Sequence, residues 1–282
     1  MSDLHLLLSD VRFPRFLYGT AWKEERTQPL VELALQQGFR DIDTANQRRH
    51  YHEAAVGAAI SNVVRQRLVS RDDIFLQSKF TFRAGQDDRL PYDPQASVAA
   101  QVEQSFTSSL LNLGVERLDS YLLHGPLRRV GLTPDDWEAW KTLEAIADRG
   151  GARILGVSNF NVEQLRRLLD GARVRPRFVQ NRCYAVRGWD REMRAVCREN
   201  GIVYQGFSLL TANRELLQHA DLVQIAKRHS RTVAQIVFRF AIDVGILPLT
   251  GTSDANHMRL DLEVFDFELA KNEIERIERL AL

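Results

Sequence analysis

Two hydrophobic periods trade places along the chain. Over residues 15–20, 39–44, 73–80, 118–124, 153–158, 177–182, 202–208 and 246–250, apolar positions alternate with polar ones or run on unbroken, which reads as strands. Between them apolar residues recur every three to four positions, which predicts helices. Val56, Ile60 and Val63 share one face over 52–67, and Val102, Phe106, Ser109 and Leu113 share one over 97–114. Val233, Ile236, Val237, Phe240 and Ala241 fall at i, i+3, i+4, i+7 and i+8 over 232–244. Further helices are expected over 29–37, 133–149, 161–169 and 190–200, with a short one from Met258 and a last one over 268–282. The end signals agree. Gly38, Gly114, Gly150-Gly151 and Gly201 stand just past helix ends. Thr133-Pro134 is a cap followed by a first-turn proline, and Asn161 with Gln164 is a capping box.

Eight strands, each followed by a helix, in 282 residues is the arithmetic of an α/β (β/α)8 TIM barrel. The reading is a single domain over 1–282, with an extra helix or two near the C-terminus. A doubly wound sheet usually carries a Gly-rich phosphate loop after its first strand. Here that strand runs into Gly19-Thr20-Ala21-Trp22, with no such motif nearby. No linker or shift in composition marks a second domain.

Charge narrows the function. The 38 basic and 37 acidic residues leave a net charge of +1, with no basic block, which argues against a nucleic-acid partner. Pairs such as Arg48-Arg49, Arg128-Arg129 and Arg166-Arg167 read as solvated faces. The two cysteines, Cys183 and Cys197, form neither a disulfide framework nor a zinc spacing. No apolar run reaches the about 18 residues of a membrane span. The opening MSDLHLLLSD lacks the basic region and apolar stretch of a signal peptide. A cytoplasmic protein with reduced thiols is expected.

In a barrel, chemistry gathers at the C-terminal strand ends. Strand 2 ends with Asp43, strand 3 with Lys79 and strand 4 with His124. Each alone has a bland reading: a helix cap, an edge lysine, a satisfied histidine. A lysine closing an apolar strand needs a partner, because a buried unpaired ammonium is costly. An Asp–Lys pair across neighbouring strands resolves that cost. Such an ammonium beside a phenol lowers the phenol's pKa and makes it a usable general acid. With a histidine to hold a carbonyl, the set would deliver a proton to oxygen as a hydride reaches carbon.

These residues resemble the aldo-keto reductases over nearly the whole chain, from Gly19-Thr20-Ala21-Trp22 to Val264-Phe265-Asp266-Phe267-Glu268-Leu269. The motifs are Asp43-Thr44-Ala45, Ser78-Lys79, Tyr121-Leu122-Leu123-His124-Gly125-Pro126, Gly156-Val157-Ser158-Asn159-Phe160 and Val179-Gln180-Asn181. The resemblance implies a barrel that binds NADPH in extended form, with no Rossmann domain and no metal, and a tetrad of Asp, Tyr, Lys and His. It implies that Ser158, Asn159 and Gln180 hold the carboxamide side of the nicotinamide. Phe207 would stack on its ring, where the family usually has Tyr. Ser208 and Leu210 would touch the pyrophosphate, Thr252 and Ser253 the adenosine 2′-phosphate, and Trp22 would line the substrate pocket.

Three departures stand out. The family's Tyr falls five residues after the Asp, where this chain has Arg48; the nearby tyrosine is Tyr51, eight residues after Asp43. Tyr51 is assigned as the acid, with a three-residue difference in the loop. Its neighbours His50 and His52 suggest help in a proton relay, or a metal reading with Asp43 and Glu53. At the adenosine end, Gly251 and His257 stand where the family often has Lys and Arg, and Asp261 where an Asn is common. Arg259 is close enough to substitute, and NADH use is the alternative to NADPH. Gly125 replaces a frequent Trp, and the chain ends with its last helix, so an open site is expected. Arg128 and Arg129 are candidates to meet an anionic substrate.

The expected function is an NAD(P)H-dependent carbonyl reductase acting on a small-molecule aldehyde or ketone, as a monomer or weak homodimer. The alternatives are a nicotinamide-bound regulatory barrel, of the kind that serves as a potassium-channel beta subunit, and an unrelated metal-dependent barrel enzyme.

Overall fold

The computed structural model describes residues 14–280. The opening segment discussed above lies outside the described residues, as do the last two residues of the expected terminal helix. Eight strands form one closed barrel: β1 (Leu17–Gly19), β2 (Asp41–Asp43), β3 (Phe75–Phe80), β4 (Leu118–Leu123), β5 (Ala152–Ser158), β6 (Phe178–Arg182), β7 (Val203–Phe207) and β8 (Ile246–Thr250). Each pairs in parallel with its sequence neighbour, and β1 pairs with β8 to close the ring. The barrel expected from the alternation is the one observed.

Ten α-helices surround it among the described residues: α1 (Thr27–Gln37), α2 (Glu53–Arg65), α3 (Val98–Leu113), α4 (Pro134–Asp148), α5 (Val162–Gly171), α6 (Arg191–Glu199), α7 (Ala220–His229), α8 (Val233–Asp243), α9 (Ala255–Leu262) and α10 (Lys271–Arg279). The capping box at Asn161 forms as read, the Thr133 cap proves to be a capping box with Asp136, and a third box closes on Thr232 and Gln235. Sequence reading passed over α7. Its buried face is only Leu222, Ile225 and Ala226, and Ser230 rather than glycine takes the left-handed closing position. The short helix expected from Met258 begins earlier, because the Asp254 carboxylate accepts from the His257 N–H and caps α9.

The period of two sorts each strand. Phe75, Phe178 and Val203 join Leu17, Ile154 and Leu247 in a small apolar cluster inside the barrel. Two residues further along the same strands come Gln77, Gln180 and Gln205, all buried. Two further still come Lys79, Arg182 and Phe207, at the mouth. The outward rows, Leu76 and Phe80 among them, pack the helices in the main core. On the helical layer, a Cβ at Gly57 would meet the Asn112 carbonyl oxygen at 2.2 Å. Glycine there lets α2 lie against the end of α3, which brings Glu53 against Ser109.

Candidate active site

The Lys79 ammonium is fully buried at the end of β3 and donates to Asp43 Oδ1 at 2.7 Å, Asp43 Oδ2 at 2.8 Å and the Thr44 carbonyl oxygen at 2.8 Å. Three acceptors match the three donors of an ammonium. Burial lowers the Lys79 pKa, and the Asp43 carboxylate pulls it back up. Asp43 is itself over-determined: Oδ1 also accepts from Gln77 Nε2 at 2.7 Å and from Gln180 Nε2 at 3.0 Å. Gln205 closes this layer, its Oε1 accepting from both glutamines at 2.9 Å and its Nε2 donating to Gln77 Oε1 at 3.1 Å. A buried carboxylate with this many donors is fixed in place.

Tyr51 sits above the pair. Lys79 Nζ lies 5.3 Å from the centre of its ring, and the His124 ring meets it edge-on at 5.9 Å. No protein hydrogen bond engages the Tyr51 hydroxyl among the described residues. Its pKa is pushed up, first by burial and then by the Asp43 carboxylate. The sequence argument had Lys79 lowering it; instead the ammonium spends its donors on Asp43 and Thr44, and the phenol stays firmly protonated. His124 is held well below its ordinary value by burial, then by Lys79 and His50, so its ring is neutral. Its Nδ1 pairs with Thr81 Oγ1 at 2.6 Å. His50 lies against Trp22, ring centres 3.9 Å apart, and borders the same cavity as Tyr51 and His124.

One cavity of about 1070 Å³ opens over these groups. It is bordered by Trp22, Asp43, Tyr51, His124, Ser158, Asn159, Gln180, Phe207, Ser208, Leu210, Thr252, Ser253 and His257, while Lys79 lies behind Asp43. The structure thus brings the residues singled out from the sequence to one mouth. Trp22, Asn159 and Ser208 hold left-handed backbone there, uncommon for residues with a Cβ. Asn159 is tied down by donating to the His124 carbonyl oxygen at 2.8 Å and to Ser158 Oγ at 3.1 Å. Gly125 borders the cavity as expected, whereas Arg128 and Arg129 do not.

A model of the aldo/keto reductase family matches residues 17–282. The chain belongs to the aldo/keto reductase family. It is 30% identical to the uncharacterised oxidoreductase YtbE of Bacillus subtilis (strain 168), over 97% of this chain and 91% of that one. It is 29% identical to a glyoxal reductase of the same organism, over 99% and 93%. A crystal structure of an aldo/keto reductase from Brucella melitensis superposes with a TM-score of 0.80 at 27% identity, covering 95% of each chain.

Aldo/keto reductases are oxidoreductases that work with a nicotinamide cofactor, and the residues here fit one. Both donors of the Gln180 amide are taken by Asp43 and Gln205, so its carbonyl oxygen is left to accept from a carboxamide. Lys23, Arg26 and Arg182 border the cavity, and none forms an ion pair among the described residues. These cations suit the pyrophosphate of a dinucleotide. Sequence reading placed Arg182 at the end of strand 6 without giving it a role, and missed Lys23 and Arg26, along with Gln77 and Gln205. Lys23 follows Trp22 directly, and its Nζ donates to the Gly251 carbonyl oxygen at 2.8 Å. It therefore stands beside the position where the expected family lysine is absent. Burial, with Arg26 beside it, lowers the Lys23 pKa to about 8. Asp261 is buried, accepts from Thr250 Oγ1 at 2.9 Å and has its pKa raised by burial to about 7.

The four residues of the metal reading diverge. Asp43 serves Lys79, His50 stacks on Trp22, and Glu53 accepts from Ser78 and Ser109 behind the barrel wall. His52 and Glu53 border a second cavity, apart from the one that Asp43 and His50 border. That geometry offers no shared metal position.

Proposed function

We propose that this chain is an NAD(P)H-dependent carbonyl reductase with Tyr51 as its general acid. The observation that carries the reading is the convergence of Tyr51 and His124 over the Asp43–Lys79 pair at the mouth of the cavity. When bound, the nicotinamide supplies the hydride. The protein's part is to hold the carbonyl and hand its oxygen a proton. A neutral His124 whose Nδ1 accepts from Thr81 carries its proton on Nε2 and donates it to the carbonyl oxygen. Tyr51 gives up its proton as negative charge develops on that oxygen. Lys79 and Asp43 hold the charge balance beneath.

NADPH is the expected cofactor, with Thr252, Ser253 and His257 at its 2′-phosphate and Lys23 nearby; NADH is the alternative. The substrate is a small aldehyde or ketone entering past Trp22. We read the chain as one domain acting in the cytoplasm as a monomer or weak homodimer, without nucleic-acid or membrane partners; among the described residues no helix is long and apolar enough to cross a membrane. The test is loss of reduced-nicotinamide absorbance with NADPH and NADH, each offered with a panel of aldehydes. Carbonyl-dependent oxidation supports the reading, and none with any carbonyl refutes it.

One observation favours a second reading. The fully engaged Lys79 and the raised Tyr51 fit a barrel that binds the cofactor without turning over. Quenching of tryptophan fluorescence by cofactor, with no carbonyl reduction, would select it.

A further inference from the structure

Tyr51 and Gln47 border two cavities. One is the mouth described above; the other, of about 220 Å³, lies beside it, lined also by Asn46, His52, Glu53 and Asn112. Arg48 and the exposed Ala54 form its outer rim. Two buried atoms among these residues, His52 Nδ1 and Gln47 Oε1, have no hydrogen-bond partner. A cavity that is polar, roomy and ringed by unsatisfied groups takes up water, each molecule needing ~30 Å³. Glu53 is 4% exposed and does not border the larger cavity.

We propose that this side cavity is the proton entry of the active site, where Glu53 reloads the Tyr51 hydroxyl through water held between Gln47 and His52. The proposal rests on the reductase reading and adds the step that must follow each turnover. As hydride reaches the carbonyl carbon, the Tyr51 O–H bond breaks and the O–H bond of the alcohol forms. The phenolate left behind takes a proton relayed by water from the Glu53 carboxyl group, whose O–H bond breaks in turn. Solvent at the Arg48 and Ala54 rim then restores that proton.

The other neighbours of Tyr51 are poor sources. Lys79 has its three donors committed to Asp43 and Thr44. His124 is neutral and held by Thr81. On the cleft side, substrate and cofactor displace water. Glu53 is well suited. It accepts from Ser78 and, at 3.1 and 3.0 Å, from Ser109. It is also faced by Lys79 from β3, Tyr121 from β4, Asn112 from α3, and His52 and Arg48 from the loop before α2. Burial outweighs these groups and raises its pKa to about 7, so near neutrality it is poised between its two forms, and the protonated form yields its proton to the more basic phenolate.

Glu53→Gln keeps an acceptor for Ser78 and Ser109 but cannot supply the proton. Rapid mixing of enzyme, NADPH and a turned-over aldehyde separates the first turnover, which uses the proton already on Tyr51, from later ones. The expected result is a first turnover within about twofold of wild type and steady-state turnover slowed at least about tenfold, with a larger solvent deuterium effect. The inflection near pH 7 in wild-type kcat should vanish. His52→Leu removes one unpartnered atom and should slow the steady state in the same way, so refutation does not depend on one variant folding. Variants that match wild type in steady state and pH profile overturn the proposal. So does equal loss of first and later turnovers, which would mark a structural role. Wild-type protein that reduces no carbonyl overturns the reductase reading and this inference with it.

Discussion

Lys79 reaches both oxygens of Asp43, at 2.7 and 2.8 Å, with the ammonium fully out of solvent and the carboxyl side chain 3% exposed. Removing one partner leaves the other charge uncompensated, which costs about 3–5 kcal/mol in buried pairs. Asp43→Asn should therefore lower stability by that order in urea denaturation and abolish carbonyl reduction. Retention of wild-type stability would mean that Gln77, Gln180 and Gln205 hold the site without the carboxylate.

Among the described residues the Tyr51 hydroxyl has no protein partner, and Tyr51 borders the cavity, so deleting the hydroxyl leaves none of them without a partner. Tyr51→Phe should keep its melting temperature and bind NADPH within about twofold of wild type. Turnover should fall about 10²–10⁴-fold, the usual contribution of a positioned acid. Fluorescence titration and steady-state rates check both halves. A variant retaining more than about a tenth of the rate removes Tyr51 from the acid's role.

Lys23 is the cation nearest Gly251, and its pKa lies at about 8. A lowered lysine is charged below that value and loses its charge as pH rises through it. Cofactor affinity should thus weaken above about pH 8. Lys23→Met should weaken it at neutral pH by about 10–100-fold, the worth of a hydrogen bond to a charged group. Comparing the loss for NADPH and NADH tells which phosphate Lys23 meets: a loss confined to NADPH places it at the 2′-phosphate, and an equal loss at the pyrophosphate.

Asp261 makes stability pH-dependent. Its folded pKa of about 7 lies above the ordinary carboxyl value of 3.8, so between these values the folded state keeps a proton that the unfolded chain has released. Raising pH through that window must destabilise the fold. Calorimetry should show the melting temperature falling between pH 4 and pH 7 by more in wild type than in Asp261→Asn, which keeps an acceptor for Thr250 and cannot ionise. Identical slopes would place the proton elsewhere, with Glu53, whose folded pKa is raised in the same direction, the next group to replace.

The sequence by itself determined the barrel and the residues at its mouth. Alternation of period two against three to four is a local property, and once the strands are in order the inward row follows: Phe75, Gln77, Lys79. Asp43 and His124, at the ends of β2 and β4 on either side of β3, were legible for the same reason. The spacing of the Tyr51 loop placed a phenol nearby but not its surroundings. Only the tertiary structure decided that Lys79 spends its donors on Asp43 and Thr44, that burial pushes Tyr51 up rather than down, and that His50 turns to Trp22. It also decided that Lys23 reaches from the loop after β1 to Gly251, and that Glu53 meets Ser78 and Ser109. Hydrogen-bond competition and desolvation depend on which strands and helices become neighbours in space, and neighbours far apart in the chain leave no local period to read.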